Sequence, residues 1–255
     1  MITDPVAELA AKPLVLIVDD DAEVREAVHA LLRSVGIEAT CFASPCEMLH
    51  ADIPDRPGCM VLDVRMPGAS GLDLQEHLTA TGRDKPVVFL SAHGDVPMTV
   101  KAMKAGATDF LVKPVRDQAL LDAVATGIER DIERRAAARF TKGQVRRLET
   151  LTPREREVMR EVVDGRLNKQ IAYDLGISEV TVKLHRSNVM RKMQAASIGG
   201  LIRLWEALPA EIRRTASPAR DVSGERRLGA NDHAAMGDRA WAQTVGSMGR
   251  NGVRH

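Results

Sequence analysis

No apolar run in the 255-residue chain approaches the roughly 18 residues needed to cross a bilayer, and its first residues do not resemble a secretory leader. Cysteine is scarce as well. Cys41, Cys46 and Cys59 are odd in number and show no C-x-x-C spacing, so no disulfide framework is expected. These absences predict a reduced, soluble, cytoplasmic chain without a membrane partner. Net charge is only +1, but it is unevenly spread. Residues 14–127 hold 17 acidic and 10 basic side chains, whereas residues 128–208 hold 11 and 17. The acidic first half favours cations, and the basic second half favours phosphate backbones.

From Leu14 onward, apolar runs alternate with amphipathic stretches, behind a lead-in over 1–13. Strands are predicted over Leu14 to Asp19, Glu38 to Phe42, Cys59 to Asp63, Pro86 to Ser91 and Asp109 to Lys113. Helices are predicted over Ala22 to Ser34, Pro45 to Leu49, Leu72 to Ala80, Val96 to Lys104 and Asp117 to about Arg139. Strands as apolar as Leu14-Val15-Leu16-Ile17-Val18 suit a parallel sheet covered on both faces, hence an α/β, doubly wound (βα)5 domain over 14–127. Residues 128–150 read as a helical linker interrupted near Gly143. It is either a solvated connector or an apolar stripe that pairs two chains.

Residues 151–208 read as short helices. Thr152-Pro153-Arg154-Glu155 combines an N-cap, a proline at N1 and a capping-box acid. Helices are expected to about Asp164, then over Asn168 to Leu175, Glu179 to about Met193 and Ile198 to Leu208. Gly176 closes the second of these and Ser178 caps the third. Beyond Pro209 the composition is too poor in apolar residues to offset ordering entropy, and 209–255 is expected to be a disordered tail.

Open parallel sheets bind ligands beyond the carboxyl ends of their strands. Asp20, Asp63, Ser91 and Lys113 all fall at such ends. A carboxylate attacks a phosphate donor poorly because both are anionic, and a divalent cation neutralises the pair. Asp19, Asp20 and Asp63 are oxygen donors suited to Mg²⁺. Lys113 would pair with a phosphoryl oxygen, Ser91 would hydrogen-bond another, and Pro114 is a candidate for a cis peptide. Taken singly, each residue has a plainer reading. The acids could complement a helix N-terminus, Asp63 could cap a turn, and Lys113 could be a surface lysine. Their joint order and spacing carry the functional reading.

That pattern resembles the receiver domain of two-component response regulators. The matching segments are Ile17-Val18-Asp19-Asp20-Asp21, Leu62-Asp63-Val64-Arg65-Met66-Pro67-Gly68, Leu90-Ser91-Ala92-His93 and Phe110-Leu111-Val112-Lys113-Pro114. The resemblance implies a flavodoxin-like fold with Asp63 as phosphoacceptor. It implies Asp20, Asp63 and the Arg65 carbonyl as Mg²⁺ ligands, with Asp19 acting mostly through water. Ser91 and Phe110 match the switch pair, which would reposition the surface from about His93 to Val112. Gly94-Asp95-Val96-Pro97-Met98 and Ala102-Met103-Lys104-Ala105-Gly106-Ala107 are similar to the FixJ branch.

In a helix-turn-helix the second helix enters the major groove. Here that helix is Glu179 to Met193, with Val182, Val189 and Met193 on its inward face. Lys183 and Ser187 are assigned to base edges, with apolar contact from Leu184. Asn168, Lys169, Thr181, Arg186 and Arg191 are phosphate candidates, and His185 is read as a packing or phosphate-contact residue. Leu151 to Met159, Asn168 to Ala172, Leu175 to Ser178 and Thr181 to Arg186 resemble the LuxR-type domain that closes NarL/FixJ regulators. That resemblance implies an all-α, four-helix domain whose last helix supports dimerisation.

The expectation is therefore a transcription regulator rather than an enzyme. A sensor histidine kinase would phosphorylate Asp63, a homodimer would form, and double-stranded DNA would be bound, with RNA polymerase as a further candidate partner. One rival is an aspartyl-phosphate phosphotransferase or phosphatase, but it lacks a second acid two residues after Asp63, where Arg65 stands. The other is a regulator whose receiver only dimerises.

Overall fold

The structure, a computed structural model, describes residues 12–215 except 84 and 93. Most of the lead-in, His93 and the tail beyond 215 lie outside the described residues. The chain divides into two compact units, with the boundary between Arg135 and Ala136.

The first unit is a five-stranded parallel sheet in the order β2-β1-β3-β4-β5. Its strands are β1 Leu14–Val18, β2 Glu38–Phe42, β3 Met60–Asp63, β4 Val87–Ser91 and β5 Asp109–Val112. The helices between them are α1 Ala22–Ser34, α2 Pro45–His50, α3 Gly71–Ala80 and α4 Val96–Lys104, and α5 Asp117–Glu149 follows. Alternate residues of each strand point to opposite faces, so the apolar runs supply two cores. Leu16, Val18, Met60, Leu62 and Phe89 pack with Met48, Leu74 and Leu78 of α2 and α3. Ile17, Val61, Val88 and Leu90 pack with Val28 and Leu32 of α1 and with Leu120 and Val124 of α5. Strand order reverses at β1, so the crevice between the carboxyl ends of β1 and β3 is the expected ligand position. Val18 lies in register with Leu62, which brings Asp19 and Asp63 out side by side. All three cysteines are unpaired.

The second unit comprises the end of α5 with α6 Pro153–Val163, α7 Asn168–Leu175, α8 Glu179–Met193, α9 Ile198–Glu206 and α10 Ala210–Thr215. Local signals act as expected. Thr152 and Glu155 form the capping box of α6, Gly176 ends α7 at φ 63°, and the Ser178 hydroxyl accepts from the Thr181 N–H to start α8. Val158, Met159, Ile171, Val182, Val189, Met193 and Leu201 form the core, joined by Leu148 from α5.

Three expectations need correction. The helix does not break near Gly143, since α5 runs unbroken from Asp117 to Glu149. A helix-interior glycine costs only about 1 kcal/mol relative to alanine, and good helix formers flank it. The linker is not solvated throughout, because each of its ends contributes residues to a core. Ile128 packs on the first unit and Asp131 is fully buried there, while Gln144 and Leu148 are buried in the second. Finally, the start of the expected tail is helical. In α10, Ile212 packs against the second core, a single apolar anchor too sparse to register as a pattern.

Candidate functional site

Three strand ends build the acidic site. Lys113, just after β5, donates from Nζ to Asp19 Oδ2 and to Asp63 Oδ1, each at 2.7 Å. The second oxygen of each acid is held by backbone. Asp63 Oδ2 accepts from the Arg65 N–H at 2.7 Å, and Asp19 Oδ1 from the Asp21 N–H at 2.9 Å. Arg25 of α1, which the sequence reading did not single out, donates to the Asp19 carbonyl at 2.7 Å and anchors the end of β1. The Lys113–Pro114 peptide is cis.

Two buried carboxylates therefore share one ammonium. Burial pushes the Asp63 carboxyl above the usual carboxylate range, Lys113 pulls it only partly back, and the Asp19 charge adds to the rise. Burial works against the Lys113 charge, but its bonds to Asp19 and Asp63 outweigh that and hold it above an ordinary lysine. Asp20 follows directly, exposed and without an ion pair among the described residues. No ready-made group of three His, Cys, Asp or Glu ligands is gathered among the described residues. The donor set nevertheless fits Mg²⁺, which takes one or two carboxylates and keeps several waters. A hard cation bound here would favour the charged carboxylate that burial and, to a lesser degree, the Asp19 charge disfavour.

Ser91, 1% exposed, ends β4, and its carbonyl accepts from the Lys113 N–H at 2.8 Å. Phe110 of β5 is half-buried, with its ring 6.3 Å from that of Phe89 and tilted by 44°. The Arg65 side chain is exposed. Asp19, Asp63 and Lys113 are thus in direct contact, and Ser91 joins them through the β4–β5 backbone.

In the second unit Val182, Val189 and Met193 are buried, which turns Lys183, Leu184, Ser187 and Arg191 outward. Leu184 is 61% exposed, unusual for leucine unless a partner covers it. Arg186 Nη1 donates to Asn168 Oδ1 at 2.6 Å, tying α8 to the start of α7. Thr181 bonds the Ser178 hydroxyl at 2.8 Å within the cap, and Lys169 is exposed. The His185 Nδ1 atom is buried without a hydrogen-bond partner among the described residues, which favours a packing role.

A second charged cluster escaped the sequence reading. Asp131 Oδ2 accepts from the Gly58 N–H and Arg135 Nε, both at 2.9 Å, and Asp131 Oδ1 accepts from Arg134 Nη2 at 2.6 Å. Lys85 Nζ stands 3.8 Å away, and Arg135 also bonds Asp55 at 2.5 Å. Asp131 with Arg134 and Arg135 reads in sequence as ordinary i,i+3 and i,i+4 helix pairs, and only the fold brings Gly58 and Lys85 to them.

A parallel sheet with an acid–lysine crevice, followed by a helix-turn-helix, defines the class of a receiver-like domain joined to a DNA-binding one. Comparison with known proteins agrees. Residues 15–125 match the response regulator receiver domain, and residues 149–205 match the luxR family of bacterial regulatory proteins. The chain is 49% identical to Nodulation protein W of Bradyrhizobium diazoefficiens over 208 residues, 82% of this chain and 92% of that one. It is 47% identical to the transcriptional regulatory protein FixJ of Azorhizobium caulinodans over 190 residues, 74% and 89% of the two chains. It is 45% identical to the response regulator protein TodT of Pseudomonas putida over 195 residues, 76% and 86%. Among solved structures, the response regulator StyR aligns with a TM-score of 0.70 at 49% identity, covering 77% of this chain and 99% of that one. The chain belongs to the two-component response regulators that join a receiver to a LuxR-type helix-turn-helix, a family of DNA-binding transcription regulators rather than enzymes.

Proposed function

We propose that this regulator is switched by phosphorylation of Asp63 and that the switch acts by promoting dimerisation on DNA. The observation that carries the reading is the bridge from Lys113 to both Asp19 and Asp63 at 2.7 Å. It supports an anionic nucleophile held beside a fixed positive charge. An Asp63 carboxylate oxygen forms the new P–O bond while the P–N bond of the histidine kinase's phosphohistidine breaks and the imidazole leaves. A bound Mg²⁺, held by Asp20, Asp63 and the Arg65 carbonyl with Asp19 through water, would neutralise nucleophile and donor together. Lys113 pairs with one phosphoryl oxygen and the Ser91 hydroxyl donates to another.

The movement of Ser91 draws Phe110 inward. The face of α4 and β5 then changes, where Val96, Val100, Met103 and Val112 are exposed apolar residues suited to a second receiver. Pairing two chains sets two α8 helices on adjacent half-sites, with Lys183, Ser187 and Leu184 at base edges. Asn168, Lys169, Thr181, Arg186 and Arg191 contact phosphates. A shift of a few kcal/mol between receiver states suffices for such control.

The test is a binding titration with a promoter fragment, with and without acetyl phosphate and Mg²⁺, on wild type and Asp63→Asn. The phosphodonor is expected to tighten wild type alone. Equal binding by both proteins under all conditions would leave the helix-turn-helix in place and remove Asp63 as its input.

A further inference from the structure

We propose that the second half of α5 is an additional DNA-contacting element, in which Lys142 and Arg146 meet duplex phosphates beside the site read by α8. The inference rests on the DNA-binding reading and extends it to a segment that precedes the helix-turn-helix. Between Glu133 and Glu149 the sequence has no acid, but it has Arg134, Arg135, Arg139, Lys142, Arg146 and Arg147. Arg134 and Arg135 are engaged by Asp131 in the first unit. The others belong to the second unit, where α5 is fixed in rotation by buried Gln144 and Leu148 and by half-buried Val145.

At 3.6 residues per turn, Lys142 and Arg146 fall on the face opposite Gln144 and Leu148, one turn apart, with Arg139 one turn earlier. Lys142 and Arg146 are exposed, and neither has an ion-pair partner among the described residues. Among the described residues, three other cations of this unit are ion-paired, Arg154 to Glu157, Arg166 to Glu161 and Lys192 to Glu155. Lys169, Lys183 and Arg191, on the proposed reading face, are likewise exposed and unmatched among the described residues. The outer face of α5 thus carries the same electrostatic mark as the surface assigned to DNA.

Two plainer explanations fall short. Basic residues in a last helical turn complement the C-terminal dipole, which accounts for Arg146 and Arg147 but not for Lys142, a turn earlier. Pairing two α5 helices through this face would set like charges against each other. Duplex DNA relieves the repulsion between Lys142 and Arg146 instead. They sit ~6 Å apart along the helix axis, facing a rod with one negative charge per ~1.7 Å. Lys192, near the end of α8, donates to the Thr150 carbonyl just beyond α5 at 3.1 Å. Lys192 lies ~14 Å along the α8 axis from Lys183, so the end of α5 that its side chain reaches falls inside one duplex turn of roughly 34 Å.

The experiment is a fluorescence-anisotropy titration of a labelled, mixed-sequence duplex of about 30 base pairs over a series of salt concentrations. It uses the full chain as wild type, Lys142→Ala/Arg146→Ala, Lys142→Arg/Arg146→Lys and Lys169→Ala. Alanine keeps α5 helical, which far-UV circular dichroism verifies. The slope of log K against log salt should flatten by about 1.8 in the double alanine variant, ~0.9 per lost phosphate contact, and stay at the wild-type value in the charge-preserving variant. An unchanged slope in the double alanine variant, with a flattened slope in Lys169→Ala, overturns the α5 contact and leaves the helix-turn-helix reading intact. Tighter binding by the double alanine variant also overturns it, assigning the cations to an acidic protein surface. If wild type itself does not bind the duplex, both readings fall.

Discussion

The two ends of the receiver sheet hold charged clusters built from the same groups in opposite proportion. At the carboxyl ends of β1 and β3, Asp19 and Asp63 share Lys113. At the amino ends, before β3 and β4, Asp131 is surrounded by Lys85, Arg134, Arg135 and the Gly58 N–H, with the exposed Asp55 a second acid on Arg135. Burial raises the pKa of both carboxylates. At Asp63 it prevails, whereas at Asp131 the bonds from Arg135 and Arg134 outweigh it and hold the group below the usual range. Surplus acid leaves an anion that still seeks a cation or an electrophile. Surplus base satisfies the anion completely and turns it into a structural fastener between α5 and the loop before β3.

The sharpest way to break this contrast is Asp131→Ala. It strands the half-buried Lys85 and the Gly58 N–H, while Arg135 keeps Asp55 and Arg134 reaches solvent, and removal of one partner from a buried ion pair costs about 3–5 kcal/mol. Urea unfolding of the full chain should show the receiver transition at much lower denaturant, and a loss under about 1 kcal/mol would mean that the cluster is ornamental. Asp63→Asn should move stability the other way. A carboxyl whose folded pKa is raised contributes stability below its unfolded pKa and loses it as pH rises through the folded value. The variant should therefore melt above wild type at pH 8, with the gap closing towards pH 4. Asp131 has the reverse sign, contributing above the unfolded pKa of about 3.9 and failing as pH falls through its lowered folded value. If Asp63→Asn melted below wild type at pH 8, the idea of surplus acid would be wrong. The smallest effect concerns the helix that leaves the Asp131 cluster. A Cβ added at Gly143 meets nothing within 4 Å, so Gly143→Ala should stabilise by up to about 1 kcal/mol. It should leave phosphodonor-stimulated DNA binding intact, and a lost response would identify Gly143 as a hinge.

The two clusters also differ in how far they could be read from the residues. Asp63 and Ser91 each close an apolar strand and Lys113 directly follows one, so strand ends locate them without coordinates. Thr152, Gly176 and Ser178 are visible for a similar reason, because caps and left-handed turns are short-range chemistry. Asp131 sits in an Arg–Glu-rich helix that looks solvated, and only tertiary packing reveals that its side chain is sealed. The length of α5 was misjudged because glycine was weighed by local propensity, while Gln144, Val145 and Leu148 anchor the helix beyond it.

Strands β1 and β3 are neighbours inside the sheet, flanked on both sides, and every residue of each is buried. Amides in such strands exchange with solvent only when a whole domain opens. Asp63 ends β3, and Asp19 directly follows β1. The pair is therefore mounted on the last part of the receiver to come apart, and no local fraying can loosen it. In hydrogen-exchange terms, Val18 and Leu62 should be as slow as the global opening reaction. The chemistry of the site and the integrity of its fold are then lost in one event.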